Sequence, residues 1–567
     1  MARFFIALFI ISSTTYLSAN SVVAGPPVPQ STVSLGLELR ENFDVGKGPT
    51  SIFGNEGNQL LSLWCPTTQA EHCTKATSIY GDINLGICKP TSELDCVDNA
   101  WAVDQTGKKI NGELLKTAPI DTRFDIPENV DLNLPGSRGM GSIWRFPGVF
   151  NGAGVDTYFI SAQSYVWLNK SSGIPISASK FIIDSPRVAI VAVREVAGSF
   201  TLAEPDDVSR GGRGPGVRGS SQLPDKSQCI ATDPTSCQQV VQFPDGYRFG
   251  LKLNVSQPLN GWFHGRFFQP AITSGSWKRG TSLSIEAEPV KVPSLDFLVP
   301  NSQIPEAAKK LIFSGRDWGQ SGGPEQGIKV TEQLSGPDIF NLINAFIPSY
   351  NNKASATTSY WSFKSLNFDR NSKVGRCSTN KTEVSGFVTT NALGYSPGPP
   401  EYDSSTDALE YKVSSPHLEA SGLIASGSYD LVIQSEVARC IYGFSNAPIK
   451  AEISILDESG ENRVATTFAS EKDGWFALSA KNFTYSAPTL KVKLTQEKPK
   501  EVVVETKVES AKPVEEVVVA VKPVEVAAPA VKPAPSKKSL SIVCSKGKVT
   551  KKITGVNPKC PTGYRKK

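Results

Sequence analysis

Between Tyr247 and Val255 the chain alternates strictly. Tyr247, Phe249, Leu251, Leu253 and Val255 are set against Arg248, Gly250, Lys252 and Asn254. A period of two is that of a pleated strand with one face buried, so the pattern predicts a half-buried strand. Residues 158–167 and 187–193, rich in β-branched and aromatic side chains, read as further strands, and 282–292 continues in the same way. The pattern changes at 305–313 and 337–346, which read as short helices. The second has Ser335 as its N-cap, Asp338 in its first turn and Pro348 as a stop. Strand patterns return at 429–437, 450–456, 464–468, 475–478 and 490–494, with turns at Glu458-Ser-Gly and Lys472-Asp-Gly. Short strands at that spacing suit an antiparallel β-sandwich. The expected fold is therefore mostly β: antiparallel β-sandwich-like domains with a few short helices.

With 567 residues, 39% hydrophobic and 20% charged, the chain has a globular composition but exceeds one ordinary core. The pattern divides it into a signal peptide (1–24), a β-rich disulfide-stapled region (25–300), a sandwich-like domain with short N-terminal helices (301–495), a linker (496–536) and a basic module (537–567). Residues 1–24 carry Arg3, the apolar run FFIALFII and a small-residue region, the layout of a secretory leader. That run is too short to span a bilayer, and no later stretch is long enough, so no transmembrane segment is expected after cleavage. The expected location is extracellular or associated with the cell envelope.

Ten cysteines fit an oxidising compartment. Cys65/Cys73, Cys88/Cys96 and Cys229/Cys237 share one spacing, C-x7-C, which favours sequential disulfides and leaves Cys377/Cys440 and Cys544/Cys560 as the other pairs. Loop-closure entropy gives about 2.6 kcal/mol for each short loop and about 4.3 kcal/mol for the long one. C-x7-C is not a zinc spacing and only three histidines exist, so neither metal nor cofactor is expected.

Residues 496–536 repeat Lys-Pro four times without an aromatic residue. Proline at that density breaks helix and ladder alike, so the segment reads as an extended, disordered spacer reaching up to about 130 Å at about 3.1 Å per residue. Beyond it, residues 537–567 hold ten Lys or Arg and no Asp or Glu. With a formal charge of +5 overall, the rest of the chain carries −5. Lys546, Lys548, Lys551, Lys552, Lys559, Arg565, Lys566 and Lys567, bracketing Cys544 and Cys560, form a local positive handle suited to polyanions such as wall teichoic acids or phospholipid headgroups. The run Ser541-Ile-Val-Cys-Ser-Lys-Gly-Lys-Val-Thr-Lys-Lys-Ile-Thr, followed by Asn557-Pro-Lys-Cys-Pro-Thr-Gly-Tyr-Arg-Lys-Lys, resembles a short C-terminal module of secreted actinobacterial proteins, where it also follows a Pro/Lys/Ala-rich spacer. The resemblance covers only this tail, implies an exported or surface context, and brings no catalytic residue with it.

Candidate chemistry is sparse. Gly319-Gln-Ser321-Gly-Gly-Pro324 is similar to the nucleophile motif of chymotrypsin-like serine proteases, and His72 in Ala70-Glu-His-Cys73 is similar to that family's histidine segment. Gln320 in place of the acid, and polar residues after Pro324, count against a secreted serine hydrolase using Ser321 and His72. His264 lies among aromatics in Trp262-Phe-His-Gly-Arg-Phe-Phe, as a carbohydrate platform or, more simply, as packed core. His417, after Pro416, reads as an exposed loop residue. Asp121, Asp125, Glu128 and Asp131 match no calcium loop and read as solvated charge. The Arg/Gly-rich run at 209–220 reads as a loop, with no nucleic-acid partner expected. Four Asn-X-Ser/Thr sites, at Asn169, Asn254, Asn380 and Asn482, matter only in a glycosylating host. The expectation is a structural or binding protein, with cell-wall polyanions, glycans or surface proteins as partners.

Overall fold

The computed structural model describes residues 34–41, 50–55, 62–118, 124–171, 174–200, 204–205, 217–218, 229–256, 261–312, 329–331, 335–379, 384–445, 449–456, 462–463, 466–485, 489–496, 540–546, 549–555 and 565–566. The chain falls into two compact units, Met1–Pro499 and Lys500–Lys567.

The first unit is mostly β and largely antiparallel. Its central run of strands goes from Ser78–Asn84 through Thr157–Asn169, Ile182–Ala197 and Ala356–Leu366 to Gly261–Trp277. It continues, after a parallel step, through Val384–Thr390, Ser426–Gln434 and Trp475–Thr484 to Thr466–Lys472. Neighbouring residues on these strands enter different cores. Trp262, Val388 and Leu431 pack on one side, and Phe263, Phe387 and Val432 on the other. Side chains alternate across a strand, so a sheet covered on both faces needs apolar residues at consecutive positions. Val384–Thr390 accordingly has every residue buried. Gly386 belongs to this packing: a Cβ there would sit 2.5 Å from the Trp262 ring.

One covering layer is made by Cys96–Val103, Arg248–Val255 and the first part of Gly280–Pro300. The other consists of the helices Glu306–Ile312 and Pro337–Ala345, together with the strands Ala408–Ser414, Thr489–Gln496 and Ile449–Leu456. Gly261–Trp277 and Gly280–Pro300 form a long hairpin that joins the layers. The second strand pairs in turn with Arg248–Val255, Ala356–Leu366 and Ser34–Leu39.

Several expectations change. The alternating strand is covered on both faces, because Gly250 lies against the Trp101 ring and Asn254 is buried as well. Ser335 does not cap its helix: Gly336, at φ 122°, holds that position without a side-chain hydrogen bond, and Pro337 opens the helix. The expected strand at 429–437 ends at Gln434, and Ser435–Tyr442 is helical. Residue 300 does not interrupt the hydrogen bonding, since strands on either side of it pair within one sheet.

Four disulfides join Cys65–Cys73, Cys88–Cys96, Cys229–Cys237 and Cys377–Cys440, as the spacing indicated. The last links the short helix Lys373–Thr379 to Ser435–Tyr442. In the second unit, Leu540–Lys546 pairs with Val549–Gly555 and Arg565–Lys566, placing Cys544 opposite Lys551 and Lys566. Cys560, Lys548, Lys559 and Lys567 lie outside the described residues, as do the leader and nearly all of the expected linker.

Candidate functional site

The residues singled out from the sequence do not assemble into one centre. Ser321 lies outside the described residues. His72 is half-buried on the short helix Glu71–Lys75, with Nε2 2.5 Å from the Trp64 carbonyl. A carbonyl only accepts, so Nε2 is the protonated nitrogen and is already engaged. His72 also lies close to Cys65 and Cys73, but those sulfurs are bonded to each other and offer no thiolate to a metal.

His264 is core. It is 2% exposed, flanked by buried Trp262 and Phe263, and stacked on Tyr395 at 3.7 Å between ring centres. Burial, followed by the charges of Arg266 and Lys364, holds its pKa well below the usual histidine value, so it is a neutral imidazole. It offers sugars no platform. His417 is half-buried rather than exposed, with Nδ1 3.0 Å from the Tyr485 carbonyl. Of the Arg/Gly-rich run, Val217–Arg218 pairs with Glu204–Pro205 and the remainder lies outside the described residues.

The acidic residues separate in space and role. Asp121 is outside the described residues, Asp131 is exposed, and Asp125 is 3.6 Å from Arg138. Glu128 accepts the backbone N–H groups of Glu93 (3.1 Å) and Leu94 (3.3 Å). Those bonds hold the loop closed by Cys88–Cys96, which two further devices fix from other sides. Lys278, at the tip of the long hairpin, donates to the carbonyls of Pro90 (2.9 Å) and Ser92, and Arg279 pairs with Glu93 at 2.9 Å. Asp95 is 3% exposed, and its Oδ1 accepts both the N–H (2.7 Å) and the hydroxyl (2.6 Å) of Ser256. Desolvation pushes its carboxyl above the usual range even though Ser256 opposes the shift.

Beside this loop lies a cavity of about 560 Å³. Ile87, Leu114, Ile126, Pro127 and the Cys88–Cys96 bridge give it apolar wall, Asp95 lines it as a buried carboxyl, and Lys89 and Arg138 are its exposed cations. Its size falls within the roughly 300–1,000 Å³ of small-molecule sites, and no aromatic ring lines it among the described residues. Sequence reading missed Asp95, Leu114 and Lys89. The available signal was the Cys88/Cys96 pair itself, which brackets Lys89 and Asp95.

No protein-family model, curated protein or solved structure matches the chain.

Proposed function

We propose that the protein is an exported, disulfide-stapled β scaffold that binds rather than transforms its partner, and that its basic tail holds it at the cell envelope. The observation that carries this reading is the contrast between an oxidised, multilayered body and a tail with ten cations and no acid in its last 31 residues. The leader-like residues 1–24 supply the route out, and the Lys-Pro spacer supplies reach. Binding is favoured over chemistry because the histidines offer little to catalysis. His264 is sealed in the core, while His72 and His417 each commit a ring nitrogen to a backbone carbonyl.

The test is localisation. Removing residues 537–567 should release the protein from the cell fraction into the medium. High salt should partly release the intact chain, because the Debye length shrinks from about 10 Å at 0.1 M to about 3 Å at 1 M. Retention of the truncated chain on cells would overturn the reading. Release on truncation with no effect of salt would replace electrostatic holding by covalent attachment or a dedicated receptor.

A further inference from the structure

The cavity beside the Cys88–Cys96 loop places a buried carboxyl, Asp95, next to open volume. Asp95 gives Oδ1 to Ser256, and among the described residues no donor from another residue reaches Oδ2. A buried carboxylate with acceptor capacity to spare gains from a further donor, so the position favours a ligand that brings one. The ordinary protein remedy, a basic side chain, is used elsewhere: Lys278 and Arg279 are both engaged with the loop backbone and Glu93. At the opposite extreme of exposure stands Lys89, which lines the same cavity with no ion pair or ammonium hydrogen bond among the described residues. The apolar part of the wall is Ile87, Leu114, Ile126 and Pro127, while the other charged groups that line it are engaged, Arg138 with Asp125 and Glu128 with the loop backbone. Leu114 is 44% exposed, an apolar side chain still open to a partner.

We propose that this cavity binds a zwitterionic amino compound, a free amino acid or short peptide with aliphatic side chains, its ammonium on Asp95 and its carboxylate toward Lys89. The proposal rests on the reading of the chain as a binding protein and names its ligand class. An ammonium at Oδ2 would restore the ionised carboxylate that burial disfavours. The ligand's aliphatic groups would cover Leu114. A sugar is a poorer fit, since among the described residues no ring lines the cavity to stack on its face. The loop is suited to the task because a disulfide, Glu128, Lys278 and Ser256 each fix it before any ligand arrives, so little ordering is left to binding.

The test is calorimetry on the full mature chain with the dipeptide Leu-Leu as probe, alongside N-acetyl-Leu-Leu and Leu-Leu amide. Leu-Leu should bind, and acetylation, which removes the ammonium, should weaken binding about thirtyfold or more. Amidation, which removes the carboxylate facing an exposed lysine, should weaken it only a few-fold. Asp95→Asn should abolish the preference for the free amine, and Lys89→Met should abolish the preference for the free carboxylate. Because Asp95 also anchors Ser256, Leu114→Glu serves as an independent variant, placing a charge in the apolar wall without touching that anchor. It should lose Leu-Leu binding while melting at the temperature of the parent. Absence of heat with Leu-Leu at millimolar concentration would overturn the proposal. So would equal binding of the acetylated and free dipeptides, or unchanged binding by the well-folded Leu114→Glu chain. None of these outcomes bears on retention by the tail, so the two readings fail separately.

Discussion

Two places in the first unit hold a charged group away from water, and they treat it in opposite ways. Arg266, 2% exposed, is met on every side. Its guanidinium donates to the Glu41 carboxylate at 2.6 Å and to the carbonyls of Thr390 (2.9 Å), Ala392 (2.5 Å) and Leu393 (3.2 Å). It also lies over the Tyr395 ring at 4.6 Å. Asp95, equally buried, has Oδ1 met by Ser256 and lines a cavity. The first arrangement ties the long hairpin to the turn after Val384–Thr390 and leaves nothing for a ligand to add. The second keeps a carboxyl with acceptor capacity to spare beside open volume. A buried charge is therefore no indicator of a site by itself; the indicator is a buried charge whose hydrogen bonding is incomplete where space remains.

The comparison can be broken most decisively at Arg266. Arg266→Met should cost about 3–5 kcal/mol, because it leaves the Glu41 carboxylate buried and unpaired. Chemical denaturation should show a lower midpoint, and a variant as stable as the parent would remove the structural reading. Next comes the long disulfide. Replacing Cys377 and Cys440 by serine should cost about 4 kcal/mol through loop entropy. Dipeptide binding by the folded fraction should be untouched. Replacing Cys88 and Cys96 should cost less, about 2.6 kcal/mol, yet should impair that binding, because it loosens the loop beside the cavity.

A third test uses pH. Asp430 is fully buried on Ser426–Gln434, where it accepts from the Gln269 N–H (2.8 Å), the Thr389 hydroxyl (2.8 Å) and the Ser479 hydroxyl. It thereby holds the left-handed bulge at Gln269, φ 47°, in the long hairpin. Desolvation, aided by the nearby Glu288 charge, raises its carboxyl from 3.8 to about 6 despite these donors. Between pH 4 and 6 the folded chain thus binds more protons at this site than the unfolded chain. The contribution of this group should make stability fall as pH rises through that window and level off above it, by an amount on the order of 2–3 kcal/mol. Comparing stability–pH curves of the parent and Asp430→Asn isolates it, and identical slopes would refute the assignment. The smallest effect belongs to Asp95→Asn, whose stability should stay within about 1 kcal/mol of the parent, since an amide oxygen still accepts from Ser256 and no charge remains buried. A larger loss would place Asp95 with Arg266 as framework and weaken the contrast.

Much of the framework was legible in the chain. The alternation at 247–255, the β-branched run at 158–167 and the apolar stretch beginning at Pro337 mark elements that the structure contains, and four equal or isolated cysteine spacings became four bridges. The candidate site was legible only as a disulfide loop. Asp95 looks like one acidic residue among many until the chain brings Ser256 to one of its oxygens and a cavity to its side.

The sequence by itself determined strand periodicity, the pairing of the three C-x7-C cysteine pairs and the concentration of positive charge at residues 537–567, because each depends on residues close in the chain or on composition alone. Only the tertiary structure decided that the alternating strand is covered on both faces, and that Arg266 is enclosed by partners while Asp95 lines a cavity. Those outcomes depend on contacts between residues far apart in sequence, such as Arg266 with Glu41 and Asp95 with Ser256, for which no local pattern carries a signal.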